Sequence, residues 1–129
     1  MKPVLILAIL VSTACSTDEL ESPGPGDNLM VAFGERVLIP EESLIITFTE
    51  LNEDSRCPSD VICVTQGQAT ITVAISRGSS HAEPRTLRIP GVAASYLHYS
   101  IALVELSPYP TTSHQPTPDE YVATLVVTK

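Results

Sequence analysis

Between Ala69 and Ile75 apolar and polar side chains alternate: Ala69, Ile71, Val73 and Ile75 point one way, Thr70 and Thr72 the other. A period of two belongs to a strand with one buried and one solvated face. Leu97, Tyr99, Ile101 and Leu103 repeat the pattern, with Ala102, Val104 and Leu106 on the opposite face of a nearly continuous apolar run. Tyr121–Thr128 is rich in β-branched residues, and shorter strand candidates are Met30–Phe33, Arg36–Ile39, Leu44–Leu51 and Arg85–Ile89. Gly34-Glu35 predicts a tight hairpin turn between the first two of these. No segment combines helical periodicity with caps. About seven short strands separated by Gly, Pro and Ser loops predict an all-β chain folded as an antiparallel sandwich.

Asp119-Glu120-Tyr121-Val122-Ala123 resembles the tyrosine corner of immunoglobulin-type sandwiches, in which a Tyr near a strand start hydrogen-bonds back to the preceding loop. The expected fold class is therefore an immunoglobulin-like antiparallel β-sandwich, with strand order left open.

The N-terminus reads differently. Met1-Lys2 is a short basic region, Pro3–Val11 is apolar, and Ser12-Thr13-Ala14 places small residues before Cys15. The apolar run is shorter than the roughly 20 residues a permanent membrane helix needs. It resembles a lipoprotein signal peptide over 1–14, cut before Cys15, with lipid on that cysteine. Ser12 occupies the place where such signals usually carry Leu. The alternative is an ordinary secretory signal cleaved near Ala14, with Cys15 a plain thiol. Several acyl chains on one residue anchor a protein firmly to a membrane. This predicts a cell-envelope location and, if the source is Gram-negative, the outer membrane facing the periplasm, since Ser16 rather than Asp follows the cysteine. Residues 15–28 are acidic and Pro/Gly-rich, as a tether would be, and 29–129 form the domain.

The 129 residues carry 7 basic and 15 acidic side chains, a net charge of −8. Nucleic acid is excluded as a partner, because its binding rests on Lys and Arg neutralising phosphates. Attachment to anionic lipid through a polybasic patch is disfavoured as well. Of three cysteines, Cys57 and Cys63 remain in the domain, and an exported even pair predicts a disulfide. The rival, a two-cysteine metal site, lacks further ligands, because His81, His98 and His114 are scattered without zinc-site spacing.

The most distinctive stretch is EDSRCPSDVICVTQGQA, Glu53–Ala69. Its DSRCP core, the second cysteine after four intervening residues, and the following Gly67 and Ala69 resemble a family of small, functionally uncharacterised bacterial envelope proteins. The resemblance extends to LVELSPYP (Leu103–Pro110) and DEYVATLVV near the end. Family members usually carry Trp after the second cysteine, where this chain has Thr65 and Gln66. The resemblance implies a secreted β-rich domain and no particular activity.

Asp54 is expected to accept backbone hydrogen bonds or pair with Arg56. An oxygen-rich pool of Glu50, Glu53, Asp54, Asp60, Asp119 and Glu120 would suit Ca²⁺, but no run of alternating acidic ligands exists, so no metal or other cofactor is expected. Enzyme motifs are missing: there is no G-x-S-x-G, H-E-x-x-H, phosphate loop or dinucleotide fingerprint. His98 and Ser100 at strand spacing read as an exposed polar face, not a catalytic pair. Pro108–Pro118 is the longest loop, and Tyr109, flanked by prolines, is the candidate partner contact. The expected function is a non-catalytic envelope lipoprotein that binds another protein or a wall component. The alternative is an inhibitor of an exogenous hydrolase, a protease or lysozyme. Pro110-Thr111-Thr112 echoes part of the Asn-Pro-Thr-Thr-Gly signature of chagasin-like protease inhibitors without completing it.

Overall fold

The computed structural model describes residues 26–129. The signal peptide over 1–14, Cys15 and most of the tether lie outside the described residues. The described residues form eight strands: β1 (Asn28–Ala32), β2 (Arg36–Ile39), β3 (Leu44–Asp54), β4 (Ala69–Arg77), β5 (Glu83–Ile89), β6 (Ala94–Tyr96), β7 (Tyr99–Ser107) and β8 (Val122–Thr128). Single turns of 3₁₀ helix at Pro40–Glu42 and Pro118–Glu120 precede β3 and β8.

The all-β sandwich expected from the alternation is present, with eight strands instead of seven. Two four-stranded sheets, ordered β1-β8-β7-β6 and β2-β3-β4-β5, face each other. Every strand pair is antiparallel. Immunoglobulin domains use Greek-key connections. Here each sheet is a meander of consecutive strands, and only β1, beside β8, pairs far from its place in the chain.

The inner faces follow the pattern that the sequence displays. Ala69, Ile71, Val73 and Ile75 of β4 are buried with Leu44, Ile46 and Phe48 of β3, against Ile101, Leu103, Ala123, Leu125 and Val127 of the other sheet. Apolar burial of this kind stabilises by about 25 cal/mol per Å², which gives the packed layer its hold on both sheets.

Three departures have identifiable causes. The Leu97–Leu106 run is two elements, because Leu97 and His98 form the turn between β6 and β7. Leu97 takes a φ of 52° there, a conformation disfavoured for a residue with a Cβ, so no Gly or Asn announced the reversal. His98 therefore leaves the strand face shared with Ser100, and its ring lies 4.2 Å from that of Tyr99. A register shift between Leu103 and Glu105 moves Leu106 onto the inner face. Finally, Gly34-Glu35 does not close a hairpin. β1 and β2 belong to different sheets, and Gly34, at φ 79°, makes the corner between them. The Glu35 N–H donates to the Ala32 carbonyl at 2.9 Å, closing a turn that needs φ > 0 at its third residue.

Candidate functional site

Two carboxylates mark the ends of β3, Glu42 in the 3₁₀ turn just before it and Asp54 as its last residue, and each receives a tyrosine hydroxyl. At its start Glu42 meets Tyr99, and at its finish Asp54 meets Tyr121. The Tyr121 end also holds the disulfide loop and the Pro108–Pro118 segment.

Asp54 reaches this position through two register shifts in β3, between Phe48 and Glu50 and between Leu51 and Glu53. The inner face passes from Phe48 to Leu51 and then to Asp54, which leaves Glu50 and Glu53 in solvent. The Asp54 and Arg56 side chains are 2% and 5% exposed. Arg56 donates from Nε and Nη2 to the two carboxylate oxygens at 2.8 and 3.0 Å. It also donates from Nη1 to the Leu106 carbonyl at 2.6 Å and from Nη2 to the Pro108 carbonyl at 3.2 Å. Its guanidinium lies 4.3 Å from the centroid of the Tyr109 ring. One arginine thus ties β3 to the end of β7 and to the loop that follows.

Burial alone would raise the Asp54 carboxyl, but the hydrogen bonds from Arg56 and Tyr121, with the Arg56 charge, outweigh it and hold the group below its ordinary value. The Tyr121 phenol is pushed up to about 12, first by burial and then by its hydrogen bond to Asp54. The expected pairing of Asp54 with Arg56 is present. The tyrosine-corner likeness is met only in part: the Tyr121 hydroxyl bonds back to the preceding loop by accepting from the Gln115 side-chain amide at 3.3 Å, and it donates to Asp54 at 2.5 Å instead of to a loop carbonyl. A buried carboxylate is a better acceptor than a loop carbonyl, which accounts for the difference.

Beyond Arg56 the chain forms the loop closed by the Cys57–Cys63 disulfide, whose Cα atoms are 5.9 Å apart. The base of the loop is a continuation of the β3–β4 hairpin. The Ser55 and Cys57 N–H groups donate to the Gln68 and Gln66 carbonyls, both at 2.8 Å. Gly67 is required here: it has φ 70°, and a Cβ would fall 1.9 Å from the Ser55 carbonyl oxygen. Gly67 therefore has a backbone reason to be glycine.

The acidic loop and the proline-rich loop, read separately in the sequence, are joined. The Ser59 N–H donates to the Pro110 carbonyl at 2.9 Å. Asp60 accepts from the Thr112 N–H at 3.0 Å and from its hydroxyl at 2.5 Å, and these bonds lower its pKa. The surface they form is apolar at its tip. Val61, Ile62 and Val64 of the bridged loop and Tyr109 of the proline-rich loop are exposed, Ile62 and Val64 fully so and Tyr109 by about half. Beside the tip lies a groove of about 280 Å³ whose walls include Ile89, Pro90, Val104, Leu106 and Tyr109.

The acidic pool does not assemble. Asp54 is bound to Arg56 and Tyr121, Glu53 accepts from Gln68, and Glu120 accepts from Thr117 and contacts His114. Among the described residues no three His, Cys, Asp or Glu side chains come together as a metal-binding group. Sequence reasoning singled out Asp54, Arg56, the two cysteines and Tyr109. It missed the Arg56 bonds to Leu106 and Pro108 and the exposed pair Ile62 and Val64. The latter were legible as aliphatics inside a bridged loop too small to bury them.

Comparison of the chain with protein-family models, with curated proteins and with solved structures found no match.

Proposed function

We propose that this chain is a non-catalytic cell-envelope lipoprotein, anchored through Cys15, that binds a partner with the loops at the Tyr121 end. The observation that carries the reading is the polarity of the domain. Gly26 donates to the Val127 carbonyl, and Asn28 pairs with Val126. The chain thus enters beside Thr128 and Tyr99, opposite the disulfide loop. β3 spans the distance with its 11 residues, about 35 Å at the rise of an extended strand. An anchor on residue 15 therefore leaves the exposed apolar loops facing away from the lipid.

A binding role is further supported by how the polar groups there are used. Asp54, Arg56 and Tyr121 satisfy one another, and Asp60 is held by Thr112. None is left poised to attack a substrate or move its protons. Exposed apolar clusters of this kind mark contact sites.

Growth of a Gram-negative host on tritiated palmitate should label the wild type and not Cys15→Ala. In vesicles holding the lipidated protein, a nitroxide lipid should quench a fluorophore on Ser79→Cys, in the turn after β4, more strongly than one on Ser113→Cys. A water-soluble mature protein with unmodified Cys15, or the reverse order of quenching, removes the reading.

A further inference from the structure

We propose that the bridged loop is a substrate-like inhibitory segment that fits the active-site cleft of an elastase-type serine endopeptidase, with Ile62 in its primary specificity pocket. The inference rests on the reading of this end as the contact surface and adds the class of partner.

Shape comes first. Residues Ser59–Gln66 form an unbroken exposed stretch, and its aliphatic side chains stand out from a convex tip instead of a flat sheet face. A convex apolar tip fits a concave cleft. The chain turns at Ser59–Asp60 and bends at Val61 and at Val64–Thr65, so Ile62 and Cys63 are the short run between the bends, and no residue of 58–66 has a positive φ. Endopeptidases bind their targets as extended segments, pairing main chain with main chain.

Rigidity comes second. The loop is fixed at its base by the Cys57 and Ser55 bonds to the returning strand, and at its flank by Ser59 to Pro110 and Asp60 to Thr112. Arg56, one residue before the bridge, is locked by four side-chain hydrogen bonds. A loop already ordered loses little freedom on binding, and this is what makes a short segment bind tightly.

The bridge then selects the residue. The Ile62–Cys63 peptide bond lies inside the ring closed by Cys57–Cys63. If water is added across that bond, the new Ile62 carboxylate and Cys63 amine stay joined through the disulfide. Rejoining them, with loss of the same water, is an intramolecular step with a high effective concentration. The bond after Val64 lies outside the ring and has no such protection. The Val61–Ile62 bond shares that protection, but Val61 is 43% exposed where Ile62 is fully so, and the more accessible side chain makes Ile62 the one presented. An isoleucine side chain matches the small apolar pocket of an elastase and lacks the cation that the Asp-lined pocket of a trypsin selects.

The test uses the full-length protein in detergent, pancreatic elastase with a chromogenic peptide substrate, and trypsin as the control. Wild type should inhibit elastase competitively with a Ki of about 1 μM or below and leave trypsin active. Ile62→Asp should weaken inhibition about 100-fold or more with an unchanged melting curve, since the side chain is exposed. Ile62→Lys should lose elastase and gain trypsin. Replacing both bridge cysteines by Ser should turn the loop into a substrate. The proposal is overturned by an absence of elastase inhibition at about 100 μM wild type, by inhibition that survives Ile62→Asp, or by cutting at Ile62 without inhibition. Cross-linking of an envelope partner from Ser113 without elastase inhibition would sink this inference and leave the binding reading intact. Loss of lipidation at Cys15 would do the opposite.

Discussion

The two ends of β3 solve one problem with different cations. Tyr99 and Tyr121 both reach across from the sheet that β3 faces to a carboxylate on β3's flank, and in each case a basic side chain completes the group. At the Tyr99 end that cation is Lys129, whose ammonium lies 2.5 Å from Glu42 but whose side chain is 52% exposed. At the Tyr121 end it is Arg56, buried and bonded to two carboxylate oxygens and two carbonyls. The hydrogen bond from Lys129 comes first in holding the Glu42 carboxyl below its ordinary value, followed by that from Tyr99. Water can replace Lys129, whereas nothing can replace Arg56. A flexible ammonium suffices where solvent shares the charge, and a planar fork is needed where it does not.

The largest effect should come from Arg56→Met. It leaves Asp54 buried without its cation and frees the Leu106 and Pro108 carbonyls, and urea denaturation should register a loss of about 3–5 kcal/mol. A loss below 1 kcal/mol would show that the two ends are equivalent. Replacing both Cys57 and Cys63 by Ser should cost about 2–2.5 kcal/mol without abolishing the fold, because the closed loop is short. Retention of full stability would mean that the Asp60 and Ser59 bonds hold the loop unaided.

Tyr121→Phe should cost about 1–2 kcal/mol, since Asp54 keeps its Arg56 bonds. The same variant sharpens the comparison through pH. Tyr121 is raised in the fold, so its stabilisation is complete below its unfolded value near 10 and is lost as pH climbs towards about 12. Asp54 is lowered, so its contribution is present above its unfolded value and disappears as pH falls through the folded one. Tyr121→Phe should remove part of the alkaline loss and leave most of the acid loss in place. Lys129→Ala should change least, with a melting shift near experimental scatter and a small rise in the Glu42 pKa by NMR titration. A shift as large as that of Arg56→Met would erase the distinction.

Much of the sandwich was legible because burial imposes a period of two. Ala69–Ile75 needed no more than that, and Arg36–Ile39 has the bounds that its composition suggested. What stayed hidden was wherever the period breaks without Gly or Pro to mark it. Leu97 turns the chain against its own preference, and the shifts in β3 and β7 change which residues face inward one residue at a time. Strand order was out of reach, since alternation says which face is buried but not which neighbour is paired. At the loops, the cysteine pair and Asp54 with Arg56 are close in sequence and could be read together. Asp60 with Thr112, and Arg56 with Leu106 and Pro108, are some fifty positions apart and share no motif.

β1 pairs with β8, the first described strand with the last, and this separates the two sheets in time. Strands β2 to β5 follow one another and meet by short-range contacts, so their sheet can form as soon as β5 has emerged, before the rest of the chain is at hand. The other sheet cannot take its final form until β8 arrives, because β8 stands between β1 and β7 and is the partner of both. As the chain emerges, then, Leu29 and Val31 wait for their cover over nearly the whole length of the domain. Closure across so long an interval is slow compared with the local hairpins. A chain that ends before Val122 should therefore protect the amides of β3 and β4 from hydrogen exchange and leave those of β1 open.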